Sequence, residues 1–193
     1  MTAAILLAAG ASRRMGERNK LLAPGPDGRA MVAHSLDRLS GFPFDPLVVV
    51  VGHESAAVAA ALGGRNVTLV TAPDHAAGLA ASLRAGLARL PPSTAAVLVA
   101  LGDMPLVQPA TVAALLAAFR SGAVVLPRYG GQMGNPVLWD RGFIPAMMGL
   151  AGDRGARSLL PEPPALTVVD VDDPGVLADF DTPESLASWT RPA

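Results

Sequence analysis

The stretch of sequence that decides the fold is residues 3–20, which reads Ala3-Ala4-Ile5-Leu6-Leu7-Ala8-Ala9-Gly10-Ala11-Ser12-Arg13-Arg14-Met15-Gly16-Glu17-Arg18-Asn19-Lys20. Residues 3–9 are continuously apolar, which is typical of a strand buried on both faces of a parallel sheet. Residues 10–20 bring together glycines, a hydroxyl and basic side chains. A buried strand that leads directly into such a loop is how α/β proteins bind phosphate groups. The sequence therefore predicts an α/β fold with an anion site after its first strand.

The lysine that closes this loop, Lys20, is the only lysine of the chain, and every other permanently cationic side chain is an arginine. Arginine replaces lysine almost anywhere on a solvated surface, but not where a compact ammonium meets a phosphate in a tight pocket. A coding bias toward arginine would also leave a single lysine by chance. The glycines, hydroxyl and arginines around Lys20 favour the phosphate role.

Composition restricts the class of protein. The 193 residues are 51% hydrophobic and 16% charged, which predicts one globular domain with a sizeable core. A net charge of −1 disfavours nucleic-acid binding, and the absence of cysteine excludes disulfides, thiolate zinc sites and a cysteine nucleophile. No apolar run approaches the ~20 residues that span a bilayer, and no charged leader precedes residue 3. We expect a cytoplasmic protein.

Short apolar runs alternate with helical patterns along the first two thirds of the chain. The predicted strands are residues 4–8, 47–51, 67–71, 96–101 and 123–126, and predicted helices occupy residues 78–90 and 111–120. This alternation predicts a doubly wound, mostly parallel sheet with right-handed crossovers. Such a sheet binds ligands at the carboxyl ends of its strands.

The regular alternation ends after residue 126. A turn-rich segment, residues 129–136, precedes a short strand at 137–139 and a short helix over 152–160, and two further strands are predicted at 166–171 and 176–180. We interpret residues 1–193 as one domain. In this interpretation residues 1–127 form the nucleotide-binding core, and residues 128–193 form a small C-terminal cover on the acceptor side.

The loop over residues 10–20 matches neither common phosphate-loop fingerprint. Walker A requires Gly-Lys-Ser/Thr after four intervening residues, and the Rossmann loop requires Gly-x-Gly-x-x-Gly. The remaining groups are backbone N–H groups around Gly10 and Ser12, the guanidinium of Arg14 for bidentate contacts with oxygen, and Lys20 as a point charge. Such a set suits a triphosphate that is cleaved between its α and β phosphates.

A carboxylate, Asp103, follows the predicted strand 96–101. Magnesium in phosphoryl sites is held by one or two carboxylates together with phosphate oxygens and water. Asp-x-Pro also marks turns, so Asp103 is alternatively a turn residue. Its position after a continuous apolar strand favours the metal role.

Two further carboxylates, Asp179 and Asp181, are spaced i and i+2 and lie on one face if this stretch is extended. Thr182 is a candidate N-cap of the last helix, with Pro183 at its first position. Both readings are compatible, with Thr182 capping while Asp181 faces the metal. The acidic group at residues 170–173 is interpreted as a solvated turn.

The motif Leu-Ala-Ala-Gly-x-Ser-x-Arg-Met-Gly-x-x-x-Lys, at residues 7–20, resembles the signature of the molybdenum cofactor nucleotidyltransferases. Five other segments extend the resemblance over almost the whole chain: residues 73–83, 102–105, 134–138, 152–157 and 179–183. The branch it resembles most is the cytidylyltransferases, which join CMP from CTP to molybdopterin and release pyrophosphate. The resemblance implies a Rossmann-like nucleotidyltransferase fold.

The resemblance also implies roles for individual residues. The catalytic set is Lys20, Arg14 and Asp103, and Mg²⁺ is held by Asp103 and Asp181. The implied nucleotide-binding residues are Ala8, Ala9, Gly10, Ser12, Arg14, Lys20, Asp74, Gly78, Ser82 and Asp103, with Gly78 and Ser82 at the base and ribose. The implied acceptor-binding residues are Gly134, Asn135 and Pro136. The molybdopterin phosphate attacks the α-phosphorus of CTP in line, chemistry that requires charge neutralisation and alignment.

Two departures from the family pattern bear on specificity. The guanylyl branch usually carries Leu-Ala-Gly-Gly where this chain has Leu-Ala-Ala-Gly. The methyl of Ala9 leaves less room for a purine, although drift in an alanine-rich chain gives the same residue. Many relatives carry histidine where Asn135 stands, which puts the acceptor site in question more than the nucleotide site.

Three alternatives stay open. A guanylyltransferase of the same pathway, or a sugar-phosphate nucleotidyltransferase, belongs to the same reaction class. An NAD(P)H-dependent oxidoreductase on this scaffold belongs to a different class, and a catalytically silent partner of a molybdoenzyme chaperone to a third. The expected partners are CTP and a molybdopterin-type acceptor, with a molybdoenzyme or its chaperone as the candidate protein partner, and neither nucleic acid nor membrane.

Overall fold

The computed structural model describes residues 1–10 and 19–189, which fold around a single eight-stranded sheet. In chain order the strands are β1 (Thr2–Ala8), β2 (Leu47–Val51), β3 (Thr68–Thr71), β4 (Ala96–Leu101), β5 (Val124–Tyr129), β6 (Gln132–Met133), β7 (Val137–Asp140) and β8 (Leu166–Asp170). The helices are α1 (Met31–Ser40), α2 (Ser55–Ala61), α3 (Leu79–Leu87), α4 (Pro109–Ala118), α5 (Ile144–Met148) and α6 (Pro183–Trp189). The spatial order of the strands is β3-β2-β1-β4-β7-β5-β6, and β8 pairs with β5.

The centre of the sheet is parallel, as the continuous apolar runs predict. Strand β1 pairs in parallel with β2 on one side and β4 on the other, so that Leu6 lies between Val49 and Ala100. Leu6 and Val49 are fully buried. Parallel strands are covered by helices on both faces, which explains why β1, β2 and β4 lack polar alternation.

Alternate residues of β1 enter two separate core clusters, one on each face of the sheet. Leu6 packs in the cluster that contains Leu36 of α1. Ile5 packs in the opposite cluster, with Leu83 of α3 and Met147 of α5. Helices therefore cover both faces, and the predicted doubly wound architecture is confirmed.

Strand β7 lies antiparallel between β4 and β5, which makes the sheet mixed. Its Trp139 pairs with Val97 of β4 and with Val124 of β5, and it is fully buried. The segment after residue 127 thus supplies an interior strand as well as short elements beyond the sheet. Because β7 runs opposite to β4, its first residues lie at the edge where β4 ends.

The predicted strand over residues 176–180 is wrong. Val176 is the last residue of a 3-10 turn, Pro174–Val176, and residues 177–180 are irregular. Gly175 in this turn packs so closely that a Cβ there would come within 2.3 Å of the Leu106 carbonyl oxygen. The short helix predicted over residues 152–160 does not form, and this segment contains a 3-10 turn at Ala156–Leu159 instead.

The prediction of a solvated turn at residues 170–173 is wrong for Asp173, which is 1% exposed. Its carboxylate accepts hydrogen bonds from the N–H of Gln108 (2.8 Å), the hydroxyl of Thr111 (2.6 Å) and the N–H of Gly175 (2.9 Å). Gln108 and Thr111 lie at the start of α4, so Asp173 caps this helix from a distant part of the chain. Within the described ranges, 1–10 and 19–189, no helix combines the length and apolarity needed to cross a bilayer.

Candidate active site

Three charged side chains from distant parts of the chain meet at one point. The Lys20 ammonium donates a hydrogen bond to Oδ2 of Asp103 at 2.5 Å and another to Oδ1 of Asp181. The lysine side chain is only 11% exposed. Asp103 follows the carboxyl end of β4, the edge at which doubly wound sheets bind ligands. The structure therefore brings together three of the side chains that the sequence singled out.

The backbone around Lys20 is held by its neighbours. Lys20 begins a 3-10 turn, Lys20–Leu22, whose preceding residue Asn19 accepts the Leu21 N–H on its side chain at 3.1 Å. Leu21 is 4% exposed and packs in the core cluster on the α1 face. Because Leu21 is anchored inside the protein, the adjacent Lys20 is directed toward the carboxylates.

The loop that carries Asp103 is fixed by hydrogen bonds from two elements. The Gly102 N–H donates to the carbonyl of Leu7 in β1 at 2.9 Å. From α1, the Ser35 hydroxyl donates to the Gly102 carbonyl at 2.8 Å, and Arg38 donates to the Pro105 carbonyl at 2.8 Å. Ser35 and Arg38 could not be predicted as part of the site, since neither belongs to a motif. The only signal was a serine on the apolar face of α1, where its side chain is 3% exposed.

Asp181 is placed by the docking of α6. Phe180 and Trp189 pack with Met31 of α1 in a small cluster, and their rings are 5.7 Å apart. The Ser185 N–H donates to the Thr182 hydroxyl at 3.2 Å, which confirms Thr182 as the cap of α6. Asp181 thus lies between a buried aromatic residue and a helix cap, and both restrict where its carboxylate can point.

The electrostatics of the cluster follow from this packing. Burial alone would lower the pKa of Lys20, but the charges and hydrogen bonds of Asp103 and Asp181 outweigh burial and raise it. The pKa of Asp179 is also raised, first by burial and then by the negative charges of Asp181 and Asp103. Lys20 is therefore positively charged at neutral pH, and the carboxyl group of Asp179 is affected by the same cluster of charges.

The N-terminal candidates divide into buried and exposed positions. Ala8 ends β1 and is buried. Ala9 is also buried, and its methyl belongs to the core cluster on the α3 face, which gives this residue a packing role. Gly10 is exposed, with open space where a Cβ would stand. Ser12 and Arg14 lie outside the described residues.

The second group of nucleotide candidates surrounds the start of α3. Gly78 has φ +108°, and a Cβ there would come within 2.4 Å of the Gly152 backbone. The Ala80 N–H donates to the Gly152 carbonyl at 3.0 Å, so the missing side chain lets this turn approach α3. Asp74 is exposed, whereas Ser82 is only 5% exposed.

The acceptor candidates lie where the chain enters β7. A Cβ on Gly134 would come within 2.5 Å of the Val176 carbonyl oxygen, and the Asn135 N–H donates to that oxygen at 2.9 Å. Gly134 and Pro136 are buried and have packing roles, whereas Asn135 is half-buried. Asn135 also lines a cavity of about 270 Å³ between α3 and the sheet.

The carboxylates of Asp103 and Asp181 fit a divalent cation. Both have an oxygen in contact with the same ammonium, so the two groups already converge on one positive charge. Among residues 1–10 and 19–189 there is no cluster of three or more His, Cys, Asp or Glu side chains arranged to hold a metal. Two carboxylates are sufficient when phosphate oxygens complete the coordination, as is usual for Mg²⁺.

A doubly wound sheet with a lysine and two carboxylates converging at a strand end is an arrangement suited to binding phosphate groups and neutralising their charge. The chain belongs to the family described as the MobA-like NTP transferase domain, which matches residues 4–167. This confirms the resemblance at the level of the family, whose members commonly use divalent metal ions.

Three relatives span nearly the whole chain. Nicotine blue oxidoreductase of Paenarthrobacter nicotinovorans is 31% identical over 191 residues, covering 94% of this chain and 93% of that protein. The crystal structure of the Rv0371c homolog from Mycobacterium sp. strain JC1 has a TM-score of 0.85 at 29% identity, covering 97% and 96% of the two chains. Rv0371c of Mycobacterium tuberculosis H37Rv in complex with manganese has a TM-score of 0.80 at 28% identity, with 97% of each chain covered.

Proposed function

We propose that this protein transfers CMP from CTP to molybdopterin, releases pyrophosphate and depends on Mg²⁺. The observation that carries the proposal is the convergence of Lys20, Asp103 and Asp181 at the carboxyl end of β4. The choice of CTP and molybdopterin rests on the resemblance of residues 7–20 and five further segments to the cytidylyltransferase branch.

In the proposed reaction a phosphate oxygen of molybdopterin attacks the α-phosphorus of CTP. A new P–O bond forms there, the bond between the α-phosphorus and the bridging oxygen breaks, and pyrophosphate leaves with the electron pair. Asp103 and Asp181 would hold Mg²⁺, which neutralises negative charge on the phosphates. Lys20 stabilises the charge that accumulates on the departing pyrophosphate.

The ammonium of Lys20 contacts both carboxylates, so in this mechanism it turns toward the triphosphate when the nucleotide binds. Lysine suits this task because its ammonium is a compact charge on a flexible stem, whereas a planar guanidinium requires more space. Ser35 and Arg38 hold the Asp103 loop while the lysine moves, because they hydrogen-bond its backbone rather than its carboxylate.

The second candidate is an NAD(P)H-dependent oxidoreductase, which is favoured by one observation. Nicotine blue oxidoreductase is 31% identical to this chain and matches it almost from end to end. Hydride transfer has no need for two carboxylates and a lysine at a strand end, so we rank it second. Guanylyl transfer and sugar-phosphate nucleotidyl transfer would call on the same three side chains, and would differ from the first proposal only in the base or the acceptor.

Ligand-induced thermal stabilisation separates these candidates. We expect CTP with Mg²⁺ to raise the Tm more than GTP, UTP, ATP or NADPH, and more than CTP without metal. Pyrophosphate release should then require molybdopterin. A larger shift with GTP would move the protein to the guanylyl branch. Stabilisation by NADPH alone, with NADPH oxidation and no pyrophosphate, would establish the oxidoreductase instead.

A further inference from the structure

Three loops meet at the edge of the sheet where the charged cluster lies. Residues 102–108 carry Asp103, residues 174–181 carry Asp181, and residues 134–136 lead into β7. A buried carboxylate, that of Asp173, directly joins the first two of these loops. Asp173 is 1% exposed, and the reaction proposed for this protein does not use it.

The two oxygens of the Asp173 carboxylate hold different segments of the chain. Oδ2 accepts the N–H of Gln108 at 2.8 Å and the hydroxyl of Thr111 at 2.6 Å, where the Asp103 loop ends and α4 begins. Oδ1 accepts the N–H of Gly175 at 2.9 Å, in the turn that leads toward Asp181. An ionised carboxylate only accepts hydrogen bonds, so it can satisfy donors on both of its sides. One side chain therefore ties the two loops together.

The two loops also touch each other directly. A Cβ on Gly175 would come within 2.3 Å of the Leu106 carbonyl oxygen, so the glycine allows a contact that a side chain would prevent. The Ala178 N–H donates to the Gly175 carbonyl at 3.3 Å, which continues the turn to within three residues of Asp181. The position of this turn relative to the Asp103 loop thus bears on where Asp181 lies.

The third loop is attached to the same turn. The Asn135 N–H donates to the Val176 carbonyl at 2.9 Å, and a Cβ on Gly134 would come within 2.5 Å of that oxygen. Val176 ends the turn whose Gly175 N–H is bound by Asp173. A displacement of the turn would therefore move Asn135 together with the segment that carries Asp181.

We propose that Asp173 is a positioning residue for the divalent cation, because it sets the separation of the Asp103 and Asp181 carboxylates by fixing the loops that carry them. The inference rests on the proposed metal site and adds to it a residue that does not touch the metal. Mg²⁺ requires near-ideal octahedral geometry with oxygens at about 2.1 Å, so two carboxylates bind it well only over a narrow range of separations. Other contacts hold the start of the Asp103 loop, and Asp173 holds its end.

Binding of Mn²⁺ to the full chain without nucleotide, followed by the loss of the electron paramagnetic resonance signal of free Mn²⁺, tests the proposal. Asp173→Asn should weaken Mn²⁺ binding at least about tenfold, the scale for removing a group that orients metal ligands. The carbonyl oxygen of the asparagine can still accept from Gln108 and Thr111, while its amide nitrogen faces the Gly175 N–H, donor against donor. The variant therefore releases the turn before Asp181 and leaves α4 capped.

Two controls separate positioning from stability. Thr111→Val removes one donor to Asp173 but leaves the N–H groups of Gln108 and Gly175 in place. It should lower the Tm without changing the affinity for Mn²⁺. Asp172→Asn removes the same charge at the exposed neighbouring position and should change neither quantity.

Gly175→Ala serves as a second variant if Asp173→Asn does not fold. Its added methyl would push away the Leu106 carbonyl and separate the two loops without altering the Asp173 carboxylate. We expect the same loss of Mn²⁺ affinity, at least about tenfold. Native affinity in the folded variants, an equal loss in Thr111→Val, or a native protein that does not bind Mn²⁺ would each overturn the proposal.

Nucleotide binding distinguishes this inference from the function on which it rests. Mn²⁺ alone reports on the carboxylates, whereas thermal stabilisation by CTP with Mg²⁺ reports on the nucleotide. Mn²⁺ binding that Asp173→Asn weakens, without any stabilisation of the native protein by CTP, would refute the proposed nucleotidyl transfer and retain the positioning role. Stabilisation by CTP together with native Mn²⁺ affinity in Asp173→Asn would refute the positioning role alone.

Discussion

The ammonium of Lys20 and the carboxylate of Asp181 are 161 positions apart in sequence and are hydrogen-bonded in the fold. This contact joins the loop after the first strand to the segment that precedes the last helix. The same ammonium also binds Asp103, from the middle of the chain. Substitution of Lys20, of Asp103, or of Trp189 in α6 should therefore disturb the same site.

Lys20→Arg should reduce turnover by about 10²-fold or more, the scale for losing one placed donor in a transition state. The arginine keeps the charge but brings a larger planar group into a site shaped for an ammonium. Lys20→Ala should be at least as inactive. It should also lower the Tm by about 2–4 °C, because the hydrogen bonds from the ammonium to Asp103 and Asp181 are lost. The measurements are pyrophosphate release and thermal unfolding, and near-normal turnover of Lys20→Arg would contradict the assigned role.

Asp103→Asn should abolish turnover while the fold remains intact. The amide has nearly the same shape but lacks the charge that binds a divalent cation. The matched control is Asp172→Asn, at an exposed position in the C-terminal third of the chain. Pyrophosphate release as a function of Mg²⁺ concentration is the readout. Equal activity of the two variants would exclude Asp103 as a ligand.

We predict that Trp189 positions Asp181 by holding α6 against α1. Its ring packs against Phe180 and lies 5.0 Å from the ring of His34, and a Cβ on Gly25 would collide with it. Trp189→Ala should loosen α6 and raise the Mg²⁺ concentration needed for half-maximal rate, with the unfolding free energy lowered by about 3–5 kcal/mol. Trp189→Phe should restore the metal dependence. A variant that loses stability but keeps the native metal dependence would show that α6 is only structural.

Asp179 gives a pH prediction. Its pKa is raised above 3.8 because burial, and then the charges of Asp181 and Asp103, disfavour the ionised form. The ionised group therefore destabilises the fold above its folded-state pKa, and this penalty disappears as the pH falls below 3.8. Asp179→Asn should raise the Tm at neutral pH by no more than about 3 °C and give no gain in acid. Thermal unfolding of the native protein and Asp179→Asn over a pH series is the measurement. A gain in Tm that appears only in acid would contradict the prediction.

Asp173→Ala should be strongly destabilising. It leaves the N–H groups of Gln108 and Gly175 and the hydroxyl of Thr111 without their common buried acceptor. We expect a loss of about 3 kcal/mol in the free energy of unfolding, and a fall of about 6–12 °C in Tm. Asp172→Ala, at the exposed neighbouring position, should change the Tm very little. Comparable effects of the two variants would argue against the cap.

The sequence is informative where local pattern and burial agree. The continuous apolar runs predicted β1, β2 and β4 because a strand covered on both faces has no position for a polar side chain. Lys20 and Asp103 could be identified because each follows such a run. Asp181 was found through its motif and its i, i+2 spacing from Asp179, although the strand assigned to residues 176–180 does not form.

Other features depend on contacts that no local pattern records. Asp173 lies in an acidic stretch that is typical of a solvated turn, and only the approach of α4 makes it a buried cap. The insertion of β7 between β4 and β5 could not be predicted from the sequence either, since the pattern of a four-residue strand does not indicate its neighbours in the sheet. The cavity beside α3 is lined by α3, by strands β1, β4 and β7 and by the 3-10 turn Ala156–Leu159, and none of these segments looks unusual alone.

The reversed direction of β7 has a consequence for how specificity can be altered. Because β7 begins where β4 ends, Asn135 reaches the ligand-binding edge from the later part of the chain, while Asp103 reaches it from the earlier part. The residues that the family resemblance assigns to the acceptor, 134–136, thus lie in one segment between Asp103 and Asp181. A graft of residues 130–160 from a relative would exchange the acceptor side and leave Lys20, Asp103 and Asp181 in their native segments. If the proposed function holds, acceptor specificity would therefore be exchangeable between relatives through this one segment.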